Sequence, residues 1–489
     1  MADLHYEELV RFRERQLESL LIEGVYKPIL VHHLVLLNLL PLIGLLIPRH
    51  SARYVRPSIF ALSLGLAWQA LRSHRAILGG NGYMIGLMTA WWLVSSAGLL
   101  VFTDIEQDCR RIERGPATTG KRKDEQGARF HWQSYPHRFS HRLEWCAGLL
   151  FNLRGPEWNW RAPHLGPLPR SVHHELHAGF TSDKFQAEDD ATYPSSKARL
   201  KQAFRTCLIS YLLLDTLKVV MMRDPYFRGT ATADSLPPFP FSYLESIPLA
   251  NRFYRVFLSA MGVYVALNFV TSFNPIVFLG LSMAFPNASR SLTAAPLDAS
   301  WLYADSFGFF CEPIADHGLA GCWGRWWHQL FRNGFTVTAN WILNFLPNSV
   351  RRKPVERCVH VIVAFFLSGF IHACGSYTQL PETKPLSGPF LFFAMQSVAV
   401  IGEYIFKTIV FPKLPLSNTP KWLRRTANIA LTFSWLLFSG AWIADDFARG
   451  GLWLVQPIPA SPLGFVTGND FWVWKEPWFQ STSGGYRVI

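Results

Sequence analysis

The residue best placed to do chemistry is an imidazole set in an apolar stretch. His372 closes the run Phe365-Phe366-Leu367-Ser368-Gly369-Phe370-Ile371, 15 residues beyond Arg357. In a helix that separation is roughly 22 Å. Ionisable groups in an apolar span are costly to bury and are functional candidates by default. An imidazole held away from water tends to stay neutral, because desolvation disfavours the charged form, and a neutral imidazole can take a proton from an alcohol. The bland alternative is a histidine that bonds a neighbouring carbonyl and ties two helices together.

A second group of residues runs from Cys322 to Arg332, Cys-Trp-Gly-Arg-Trp-Trp-His-Gln-Leu-Phe-Arg. Read as one helix, it places Trp323, Trp327 and Phe331 on one side and Arg325, His328 and Arg332 on another. Trp favours the membrane interface and guanidinium groups suit phosphates, so such a helix could receive an anionic, partly apolar ligand; a coenzyme A thioester has that character. An anchoring helix whose arginines meet lipid headgroups fits the same pattern. Glu403 and Lys407, four apart, read as a structural ion pair beside Gln396, and Asp215 with Lys218 invites the same reading. The sequon Asn287-Ala288-Ser289 carries little weight. There is no G-x-x-x-x-G-K-[ST] loop, G-x-G-x-x-G turn, H-E-x-x-H helix or G-x-S-x-G elbow, so nucleotide hydrolysis, Rossmann cofactors, zinc proteolysis and the usual serine hydrolase layout lack support. Asp189-Asp190 and Asp445-Asp446 are isolated pairs, not the paired motifs that would hold a magnesium diphosphate.

The elements that must position these groups are apolar helices. A bilayer core of about 30 Å takes roughly 20 residues of helix. The clearest runs are 28–48, 84–102, 256–285, 355–373, 390–411 and 428–444, with weaker ones at 58–71, 207–222 and 334–346. They predict an all-α polytopic membrane protein of about eight to ten spans. Charged residues are 17% of the 489, against roughly 25% in soluble proteins, while aromatics reach 15% with 19 Trp. The net charge of +13 does not indicate nucleic acid, because the 15 Lys and Arg between 103 and 200 stand among 13 acidic residues. The excess flanks membrane spans instead. Arg351, Arg352, Lys353 and Arg357, with Lys413, Lys421, Arg424 and Arg425, are placed in the cytosol by positive-inside reasoning. Seven cysteines without a C-x-x-C pair argue against a disulfide scaffold or a zinc site. Residues 1–27 read as an amphipathic surface helix rather than a cleaved signal, through Tyr6, Leu9, Val10, Leu17 and Leu21, with a partner-binding helix as the alternative. The expected organisation is that segment, then helices over 28–102, a polar loop region over 103–202, helices over 203–285, a catalytic region over 286–445 and a tail over 446–489.

Trp323-Gly324-Arg325-Trp326-Trp327-His328-Gln329, followed by Phe366 to His372 and by Phe392-Phe393-Ala394-Met395-Gln396, resembles the wax synthase domain of the membrane-bound O-acyltransferase superfamily. His131 to Pro136, Arg142 to Trp145 and Asn152 to Trp160 look like its fungal branch, many of whose members are acetyltransferases of terpenoid or meroterpenoid pathways. The resemblance implies a tunnel inside the membrane, acyl-CoA entering from the cytosol and an apolar alcohol arriving through the bilayer. It places His372 as the catalytic histidine and His328 at the second polar position, with Arg325, Arg332, Trp327 and Gln329 as candidate contacts for the acyl-CoA. It implies no metal and no cofactor beyond that cosubstrate, most simply acetyl-CoA, and an endoplasmic reticulum membrane. Cys322 departs from the family, which often has an aromatic before Trp-Gly-Arg. Two rivals are a long-chain acyltransferase making wax or sterol esters, and a transporter whose passage His372, Glu403 and Asp215 would line.

Overall fold

The structure is a computed structural model that describes residues 6–50, 53–115, 130–177, 193–414, 419–468, 470–474, 477–482 and 485–488. Its body is built, in chain order, from α1 (Tyr6–Ile22), α2 (Val31–Leu46), α3 (Val55–Ser73), α4 (Tyr83–Ala97), α5 (Phe139–Leu150), α6 (Ser196–Arg223), α7 (Pro248–Asn274), α8 (Arg332–Leu343), α9 (Lys353–Tyr377), α10 (Leu391–Ile405) and α11 (Lys421–Arg449). Among the described residues the only strands form three two-stranded ribbons.

Among the described residues, five helical segments are long and apolar enough to cross a membrane: Tyr83–Phe102, Pro248–Ala284, Lys353–Tyr377, Leu386–Lys413 and Lys421–Arg449. They contain α4, α7, α9, α10 and α11; the remaining apolar runs became the shorter or more polar α2, α3, α6 and α8. Local chemistry sets where they start. Pro354 sits in the first turn of α9, where its missing N–H would have had no helical partner anyway, and Glu356 comes two residues later at the positive end of the helix dipole. Ser195 caps α6 through its side chain, which accepts from the N–H of Ala198. The α4 span is 67% buried, whereas the other four are between 22% and 33% buried, so α4 is the central helix and the others present flanks to the surroundings.

The stretch read from sequence as a polar loop region has its own packed core. The strand Arg111–Arg114 pairs antiparallel with Phe130–Gln133, and the buried Arg111 donates to both carboxylate oxygens of Glu144 on α5, each at 2.6 Å. Trp145 and Trp158 meet edge to face beneath it, centroids 4.9 Å apart. The Trp-rich segments therefore serve as a scaffold.

Three further expectations change. Asp215 and Lys218 do not pair. Asp215 accepts from Ser461 Oγ and from the N–H of Leu463 at 2.7 Å, and Lys218 donates to the carbonyls of Trp453 and Val455 at 2.7 and 2.9 Å. Each instead binds the returning 453–463 segment to α6. The second concerns α1, which buries Leu9 and Leu17 while Tyr6 donates to the carbonyl of Leu454 at 2.7 Å, so its apolar face is spent on the protein. Glu18 of that helix pairs with Arg487 at 2.9 Å, and the N–H of Val488 donates to Ile29 O at 2.7 Å, fastening the last described residues to the first ones. Third, residues 322–332 do not form one helix, because the backbone turns extended at Trp327.

Among the described residues, the most deeply buried ion pair joins the end of α6 to α7: Asp224 and Arg255 are 0% and 2% exposed and meet at 3.1 Å. Asp224→Ala strands the guanidinium and is expected to cost about 3–5 kcal/mol, whereas Glu356→Ala, which breaks a pair 38% and 35% exposed, costs less than about 1 kcal/mol. Thermal unfolding of the two variants in one detergent should show a large drop in Tm only for the first.

Candidate active site

His372 and His328 line one cavity of about 990 Å3. Its first wall is a stripe of α9 at helical spacing, Arg357, Val361, Ala364, Ser368 and His372, so the imidazole lies about four turns in from the basic start of that helix. A second wall is α10 and the turn after it, from Phe393 to Lys407 and Thr408; a third comes from Trp323, Trp327, His328 and Phe331 with the first turns of α8. Trp160 and Arg161 reach it from the Trp-rich scaffold.

At the inner end, His372 Nδ1 lies 2.5 Å from Tyr83 Oη, and the ring of Phe393 stacks on the imidazole with centroids 4.7 Å apart and planes 21° from parallel. The sequence alternative for His372, a bond to a backbone carbonyl, is replaced by a bond to a hydroxyl 289 residues away. Tyr83 was not singled out from the sequence, although the run Gly79-Gly80-Asn81-Gly82 just before it signals an unusual turn.

His328 reaches the cavity because the helix stops. Cys322–Trp326 is a single π-helical turn, and Trp327 is extended at φ −63° and ψ 149°. The fan of residues at helical spacing is therefore broken. His328 sits edge-on between Phe307 and Phe331, centroids 6.0 and 5.9 Å away, with Nδ1 buried and without a hydrogen-bond partner. Gln329 stitches the turn, donating to the carbonyls of Trp323 and Trp327 at 2.7 and 3.0 Å and accepting from Arg332 at 2.8 Å. Trp327, Gln329 and Arg332 line the cavity. Arg325 does not; it turns outward to His317 Nε2, 2.8 Å away. The cationic groups in the lining are Arg161, Arg332, Arg357 and Lys407 with His360, and of these only Arg332 came from the motif.

Glu403 and Lys407 pair at 2.9 Å, as their spacing suggested, and Glu403 also receives the N–H groups of Leu319 and Ala320. Gln396 accepts from the indoles of Trp323 and Trp435 at 3.2 and 2.9 Å, tying α10 to α11 and to the π-helical turn.

Burial and the neighbouring Arg154 lower the pKa of His328 to about 4, and burial with Arg154 and Arg332 lowers that of His164 to about 3, from an ordinary 6.5. The unfolded chain then binds protons that the folded chain does not between about pH 6.5 and 4, so stability is complete above that window and is lost as pH falls through it. His328→Gln should flatten the fall of Tm between pH 7 and 4, read by thermal shift in detergent.

Residues 307–395 match the Membrane bound O-acyl transferase family. An O-Mevalon transferase of Penicillium terrestre is 24% identical over 315 residues, 63% of this chain and 62% of that protein. An acetyltransferase of Hericium erinaceus is 25% identical over 257 residues, 51% and 58% of the two chains, and an acetyltransferase of Aspergillus fumigatus is 23% identical over 268 residues, 52% and 56%. The chain thus spans a little over half the length of these relatives. No solved structure matches it. His328, His372 and most of the residues lining their cavity lie inside the matched stretch, so the likeness to the membrane-bound O-acyl transferase family falls on the site itself.

Proposed function

We propose that this integral membrane protein is an acyl-CoA-dependent O-acyltransferase that moves an acetyl group from acetyl-CoA to a hydroxyl of an apolar secondary metabolite of terpenoid or meroterpenoid type. The observation that carries the reading is the shared cavity: two histidines face one space lined both by cationic side chains and by aromatic rings. His372 takes the hydroxyl proton as the alcohol oxygen attacks the thioester carbonyl. The carbon–sulfur bond then breaks, and the proton passes to the departing thiolate, leaving ester and free CoA. His328 positions the thioester or meets the charge that develops on its oxygen, an effect that gains strength in a site walled by rings. Arg161, Arg332, Arg357 and Lys407 suit the donor's phosphates, and Trp327 its apolar portion. Arg325 leaves this set because it does not face the cavity.

A small acyl group is supported by where the space stops. Along α9 the lining ends at His372, with Tyr83 and Phe393 against the ring. Asp215, one of the residues a transporter would have used, is bound to Ser461 and Leu463 instead. The basic start of α9 belongs on the cytosolic face by the positive-inside rule, and the membrane we assign is that of the endoplasmic reticulum.

Purified protein incubated with labelled acetyl-CoA or palmitoyl-CoA and a panel of terpenoid, sterol and fatty alcohols should form an acetyl ester of a terpenoid. Transfer of palmitate instead would overturn the acetyl assignment, and no ester with any pair would overturn the enzyme. His372→Ala should lower the rate by at least about 100-fold at unchanged protein level.

A further inference from the structure

We propose that Tyr83 is the positioning residue for His372: its hydroxyl accepts the Nδ1 proton of the imidazole, fixing the tautomer that leaves Nε2 free to take the proton of the alcohol. This rests on the acyltransfer reading of the cavity. The geometry is built around the contact from both helices. Tyr83 is the first residue of α4, only 3% exposed, and its ring stands edge-on to Phe447 with centroids 5.2 Å apart. The four residues before it all lie in the left-handed region, Gly79 at φ +73°, Gly80 at +77°, Asn81 at +53° and Gly82 at +92°. Such a run is unfavourable unless its surroundings impose it. Here they do: Thr378 Oγ1 donates to Gly82 O at 3.0 Å, Gln379 Nε2 to Gly80 O at 3.1 Å, and Asn81 Nδ2 to Gly450 O at 3.1 Å. The start of α4 is thereby bolted to the ends of α9 and α11.

The crossing itself is close. A Cβ at Gly375 would stand 2.9 Å from the Tyr83 ring, and one at Gly86 would collide with Cys374 O. Tyr83 is consequently pressed against the α9 turn that carries His372, and the bond between them consumes Nδ1. Phe393 covers one face of the imidazole, and with Nδ1 engaged by Tyr83 the nitrogen left for a reactant is Nε2. The opposite tautomer would make His372 a donor toward the carbonyl and leave the alcohol without a base. An acceptor oxygen on Nδ1 also favours the charged ring formed once the proton has been taken.

The test is 15N NMR of the full chain labelled at histidine and held in nanodiscs, with the His372 signal identified by its loss in His372→Ala. Wild type should show a protonated Nδ1 and a bare Nε2, and Tyr83→Phe should show a mixture of tautomers. With acetyl-CoA and an alcohol from the panel, Tyr83→Phe should lower kcat about 10- to 100-fold and leave both KM values unchanged. A bare Nδ1 in wild type overturns the proposal without any variant having to fold, and so does a Tyr83→Phe protein of unchanged tautomer and kcat. If His372→Ala still makes ester, the acyltransfer role of His372 fails; if it is inactive while Tyr83→Phe runs at the wild-type rate, only the role of Tyr83 falls.

Discussion

A polar ring placed deep in a bundle of apolar helices must find its hydrogen-bond partner in the protein, because water is scarce there and an unmatched polar group costs several kcal/mol. That constraint governs how α4 and α9 meet. Their glycines let the backbones close on one another, the left-handed turn before α4 fixes where that helix begins, and the outcome is one hydroxyl facing one imidazole. The most buried span is thus also the one that supports the histidine from behind.

The rest of the cavity divides its labour between charge and rings. Cations gather where α9 and α10 leave the apolar zone, and indole and phenyl groups take over toward His372. Polar side chains that the bundle cannot solvate are used as fasteners: Gln396 holds two indoles, Glu403 holds a lysine and two backbone N–H groups, and Gln329 closes the turn that delivers His328.

Much of this was legible in the sequence because it depends on local runs. The spans containing α4, α7, α9, α10 and α11 are set by apolar length, His372 stands out as an ionisable group inside one of them, and Glu403 with Lys407 obeys helical spacing. The features that were not legible depend on irregular backbone or on distant partners. The fan of residues from Trp323 to Arg332 assumed 3.6 residues per turn, and the π-helical turn ending at Trp327 voids that assumption, which is why Arg325 and His328 part company. Asp215 and Lys218 looked like mates only because they are neighbours; each found carbonyl, hydroxyl or amide partners more than 230 residues away. The scaffold around Arg111 and Glu144 reads as a loop from composition, since it is held by a partly buried ion pair and two crossed tryptophans within a small apolar cluster rather than by long periodic runs. Tyr83 is invisible to any pattern rule because its partner lies across the fold.

The π-helical turn at Cys322–Trp326 holds one residue more per turn than an α-helix would. Deleting a single position there would shorten the link between Gly321 and the extended Trp327 by one residue, drawing the imidazole of His328 back from the space it shares with His372. The length of this short stretch is therefore constrained more tightly than its composition. Aliphatic or aromatic exchanges along the walls leave the register of the chain intact, while an in-frame insertion or loss of one codon does not.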